Sequence, residues 1–98
     1  MTQSAETWKG IVDQVKQSLA KSHDASWERI AYELQDDFRF LLISIQVDDE
    51  QRNPANIARI CAAVRSAVKQ VPIPKRKDDY SWMAVVTHGD VTIESIFE

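Results

Sequence analysis

From Thr7 to Ala20 the apolar residues Trp8, Ile11, Val12, Val15 and Leu19 recur every three or four positions, with polar side chains between them. That spacing predicts an amphipathic helix with one stripe turned to a core, and Ser4 is placed to cap its start. Lys21 to Ser26 breaks the period. Glu28 to Leu34 then alternates, with Ile30, Tyr32 and Leu34 on one side and Arg29, Ala31 and Glu33 on the other, as a half-buried strand does. Asp36 and Asp37 read as a turn. Phe38 to Val47, rich in aromatic and β-branched residues, reads as a second strand that pairs with the first as a hairpin.

The second half repeats the order. Asp48 to Arg52 is a polar connector, and Asn53 followed by Pro54 is a helix start, with Asn as the cap and Pro in the first turn. Ile57, Ile60, Cys61, Val64, Val68 and Val71 form the buried stripe of a helix running to about Gln70. Pro72 and Pro74 stop it, because proline lacks the backbone donor and turns the residue before it away from helix. Tyr80 to His88 and Val91 to Phe97 are two more strands, and Gly89-Asp90 between them suits a type II′ hairpin turn. The expected architecture is one α+β domain over residues 1–98, a two-layer sandwich in αββαββ order. It has a mainly antiparallel four-stranded sheet and both helices on one face.

Alternation then sorts the sheet into faces. With Gly89 and Asp90 at the tip, His88 pairs with Val91, Val86 with Ile93, Ala84 with Ser95 and Trp82 with Phe97 on an apolar face that should meet the helices. Thr87 with Thr92, Val85 with Glu94 and Met83 with Ile96 fall on the other. If Asp36 and Asp37 form the first tip, Tyr32 faces Leu41 and Ile30 faces Ile43 on the core side. The reverse side then collects Trp27, Arg29, Ala31, Glu33, Phe38, Phe40 and Leu42. Aromatic residues flanked by charges are the composition of a protein interface. A slip of one residue in either turn would exchange the two faces.

Charge narrows the partners. The 98 residues carry 12 Lys and Arg against 15 Asp and Glu, a formal net charge of -3, which argues against a nonspecific nucleic-acid binder. The basic run Lys75, Arg76 and Lys77 sits between prolines and Asp78-Asp79 and reads as a solvated connector. An acidic surface complements a basic partner and speeds their encounter. One cysteine permits no internal disulfide, which fits a reducing compartment. No apolar run approaches the roughly 20 residues that span a bilayer, so no membrane role and a cytoplasmic location are expected.

Chemistry is sparse. The phosphate-binding, nucleophile-elbow and zinc-protease motifs are missing, and two glycines cannot build a phosphate cradle. His23 beside Asp24 and His88 near Asp90 read as surface histidines, and Cys61 as core packing. Asp48, Asp49 and Glu50, with Asp36 and Asp37, lack the spacing of a calcium loop and read as turn carboxylates. No cofactor, no metal site and no enzymatic activity are expected.

Small, acidic, cysteine-poor α+β chains of this kind, with the strand Ser81-Trp82-Met83-Ala84-Val85-Val86-Thr87, the Gly89 turn and a last strand ending at Phe97, resemble bacterial immunity proteins. These belong to contact-dependent growth inhibition and related polymorphic toxin systems. The resemblance implies a role only, binding a cognate toxin and blocking its active site or substrate surface; no functional residue carries over. On that reading Asp36, Asp37, Asp48, Asp49 and Glu33 meet basic groups of a nuclease, with Trp27, Phe38 and Phe40 as anchors and Arg29 beside them. A homodimeric chaperone or adaptor for a secreted effector, and a small ligand-binding domain or enzyme using His23 or His88, are the alternatives.

Overall fold

The computed structural model describes residues 5–22, 24–35, 40–71, 73 and 80–97. Its elements are α1 (Ala5–Ala20), β1 (Arg29–Gln35), β2 (Phe40–Gln46), α2 (Pro54–Lys69), β3 (Trp82–His88) and β4 (Val91–Phe97). The expected αββαββ sandwich is therefore the observed one. The capping Ser4, the basic run and the two prolines after α2 lie outside the described residues.

The helix starts and stripes follow their side-chain chemistry. Asn53 caps α2 by accepting a hydrogen bond from the backbone N–H of Asn56 at 2.9 Å, and Pro54 occupies the first turn. Trp8, Ile11, Val12, Val15 and Leu19 of α1 are buried together with Ile60, Val64, Ala67 and Val68 of α2. The sheet residues in the same cluster are Leu41, Ile43, Ile45, Trp82, Ala84, Val86 and Ile96, all from one face, so both helices cover that face. Trp8 is enclosed, and its Nε1 has no hydrogen-bond partner among the described residues. Cys61 is half-buried against this core, and burial, with Glu94 nearby, pushes its thiol pKa up.

The sheet order is β1-β2-β3-β4. Both hairpins are antiparallel, while β2 and β3 run parallel at the centre, Leu41 opposite Trp82 through Gln46 opposite Thr87. The parallel step follows from α2, which carries the chain back across one face before β3 begins.

Register departs from expectation in two ways. In the first hairpin the strands end at Gln35 and Phe40, so Tyr32 stands opposite Ile43 and Ile30 opposite Ile45, not Leu41 and Ile43. The register is therefore not centred on Asp36-Asp37, which lie outside the described residues, and because the shift is an even number of residues every side chain keeps its expected face. In the second hairpin Gly89 has φ +61°, as a primed turn requires, and His88 pairs with Val91 and Thr87 with Thr92 as expected. Beyond that point a bulge leaves Ile93 out of register, Val86 meets Glu94, Ala84 meets Ile96 and Met83 meets Phe97. The expected pairs of Ile93, Ser95 and Phe97 with the core-facing residues of β3 do not form. Large Ile96 fills the space over small Ala84 and is buried, while Ile93 and Phe97 are exposed.

Candidate functional site

The face of the sheet turned away from the helices can be read row by row from the strand register. One row runs Arg29, Gln46, Thr87, Thr92; the next Ala31, Ser44, Val85, Ser95; the third Glu33, Leu42, Met83, Phe97; and Gln35 with Phe40 closes the end. Every one of these residues is exposed or half-buried, although five of them are apolar and larger than alanine. Polarity is graded along the strands. Phe40, Leu42, Met83 and Phe97 make an apolar end, extended by Tyr80, whose ring lies 5.4 Å from that of Phe97. The opposite end is polar, with Arg29 Nη2 donating to Gln46 Oε1 at 3.1 Å beside a shallow depression of about 310 Å³ lined by Arg29, Ala31, Ser44, Gln46 and Thr87.

The structure divides the residues expected to form the site. Arg29, Glu33 and Phe40 stand on this face. Trp27 does not. Alternation carried back from Arg29 puts it there, but β1 begins only at Arg29, and the indole ahead of it is half-buried against the core, where its large apolar surface is removed from water. Asp36, Asp37 and Phe38 lie outside the described residues. Asp48 and Asp49 are exposed at the polar end, a strand length of about 20 Å from Phe40. Both have local partners: Asp48 Oδ1 accepts from the Gln51 backbone N–H at 2.8 Å, and Asp49 Oδ1 lies 2.7 Å from His88 Nε2.

Two arrangements escaped the sequence reading. His88, expected to stand alone, is held between Asp49 and Arg52, whose Nη1 lies 3.4 Å from His88 Nδ1. This clasp joins the connector after β2 to the end of β3, alongside the bond from the Val47 backbone N–H to the Thr87 carbonyl at 2.9 Å. Asn56 is 4% exposed; its Nδ2 donates to the carbonyls of Ser26 at 2.8 Å and Gln51 at 2.6 Å, and its Oδ1 accepts from the Ser26 backbone N–H at 2.9 Å. The only local hint was a polar residue in the first turn of α2, four positions before Ile60 of the buried stripe.

Depressions elsewhere lie between the end of α1 and α2, the larger about 400 Å³ and lined by residues including Lys21, Asp24, Arg59 and Ser66. His88 lines neither this hollow nor the one on the sheet face, and His23 is outside the described residues. No group of three or more His, Cys, Asp or Glu suited to a metal ion occurs among the described residues. No helix is long and apolar enough to cross a membrane among the described residues.

Fold and face together define a two-layer α+β sandwich whose sheet presents a graded apolar-to-polar surface. No family model matches the chain, and neither a curated protein nor a solved structure matches it.

Proposed function

We propose that the chain is a protein-binding inhibitor of the immunity type, acting in the cytoplasm on a cognate toxin. It neutralises that toxin, a nuclease on the charge argument, by occluding its active site or substrate surface. The observation that carries this reading is the helix-free sheet face, where Phe40, Leu42, Met83 and Phe97 form an apolar end half open to water. Such a patch with a polar surround has the make-up of an interface centre and its rim. The chain's net charge of -3 supports a basic partner, with Glu33 on the face and Asp48 and Asp49 at its polar end as the acidic groups. Trp27 is replaced as an anchor by Leu42 and Met83, which share the row of Glu33.

The test is coexpression with the toxin domain encoded beside the gene, reading growth protection and the affinity of the purified pair. Leu42→Lys and Phe40→Ala should each weaken binding by about 30-fold or more, the size expected at an interface hot spot. Lys9→Glu, on the outside of α1, should leave it unchanged. Wild-type affinity in both sheet-face variants, with the fold intact by circular dichroism, would remove this face from the reading.

A further inference from the structure

Among the described residues the sheet has two edges without a further strand, β1 and β4, and they differ. On β1 the exposed side chains are Arg29, Ala31, Glu33 and Gln35, the mixture of charge and polarity with which edge strands discourage a stray partner. On β4 the exposed side chains include Val91 at 61%, Ile93 at 38% and Phe97 at 42%. Among the described residues the other large apolar side chain so exposed is Tyr80, whose ring meets that of Phe97 at a tilt of 38°. Exposed apolar surface is thus gathered at one edge, where backbone groups of the last strand face outward and offer a template for another strand.

We infer that β4 pairs antiparallel with β4 of a second copy of the chain, about a two-fold axis at Ser95, joining two four-stranded sheets into one of eight strands. A two-fold axis normal to the sheet sets residues of the same face opposite one another, so it must fall at a residue and not between two. Three central positions retain most of the strand. An axis at Glu94 sets two carboxylates directly opposite, which is destabilising. An axis at Ile93 falls on the residue that the bulge displaces from the ladder. An axis at Ser95 brings two small hydroxyl side chains together, sets Ile93 opposite Phe97 on both sides, and places Glu94 away from its copy. Charge and apolar complementarity therefore select Ser95. The pairing withdraws Ile93 and Phe97 from water and makes the apolar end of the open face continuous between copies.

Cross-linking tests both the association and its register. In a Cys61→Ser background, Ser95→Cys should oxidise rapidly to a disulfide-linked species of twice the 11.2 kDa chain mass, while Glu94→Cys should not cross-link above its rate in denaturant. Light scattering of the unmodified chain at millimolar concentration should show the doubled mass. Ile93→Lys should return it to the single-chain mass with an unchanged circular dichroism spectrum. A single-chain mass at every concentration would overturn the proposal. So would faster cross-linking through Glu94→Cys, or a doubled mass that survives Ile93→Lys and disappears with Leu42→Lys. Ile93→Lys changes the edge and Leu42→Lys the face, so failure here is distinct from failure of toxin binding.

Discussion

Replacing Asn56 by Asp keeps the shape of the side chain and removes both of its donors. A carboxylate would then sit against the carbonyl oxygens of Ser26 and Gln51, which now accept from the amide. Asn56→Ala should cost about 1–3 kcal/mol, the usual result of leaving buried partners unsatisfied. Asn56→Asp should cost more at neutral pH, and urea denaturation should show part of the loss recovered in acid, where a protonated carboxyl can donate again. Tyr32 is a second residue whose surroundings are measurable. Half-burial beneath α1, with Lys16 Nζ 5.3 Å from the ring centroid, accompanies a phenol pKa pushed up to about 12 by desolvation. The unfolded chain loses this proton near pH 10 and the folded chain only near 12, so stability should fall as pH rises through that window. Stability measured against pH should be flatter there in Tyr32→Phe and unaffected below pH 9 or so. Local pattern showed that Tyr32 faces the helices. It could not show the bonds of Asn56, because Ser26 lies thirty positions away and no periodicity joins them.

Element by element, what could be read from the chain was what depends on neighbours within a few positions. Asn53-Pro54 starts α2, the stripe from Ile57 to Val68 faces the core, and Gly89 turns the second hairpin. The turn offers a clean check. Gly89 has φ +61° and a Cβ added there meets nothing within 4 Å, so Gly89→Ala carries only the backbone cost, about 1–2 kcal/mol, with no clash. Calorimetry should show that loss without a change in the far-ultraviolet spectrum, and Gly89→Asn should cost less. Register was the weak point, and parity decided the damage. The first hairpin shifted by an even step and its faces stood; the bulge at Ile93 shifted the second by one, exchanging Ile96 for Ile93 and Phe97. The bulge puts Ile96 into the core and leaves Ile93 outside it, a packing choice among distant parts of the chain that no turn signal carries.

For the molecule as a whole, layer count and the choice of covered face followed from the two helical stripes, but strand order did not. Which hairpin edges meet is a contact between distant parts of the chain, and αββαββ order is compatible with more than one arrangement. The candidate face was half legible for the same reason: Arg29, Glu33, Phe40 and Leu42 came from one hairpin, while their junction with Met83 and Phe97 needed the central pairing. That central pairing also bears on how the chain reaches its native state. Each helix and hairpin can form from contacts close in sequence, hairpins within about 1–10 μs. The parallel ladder from Leu41–Trp82 to Gln46–Thr87 must wait until the two halves of the chain find each other. Until then the inner edges of both hairpins, lined by Leu41, Ile43, Ile45, Trp82, Ala84 and Val86, stand unpaired. The half-assembled chain is consequently the species most prone to aggregate, and the rate at which the halves dock limits its lifetime.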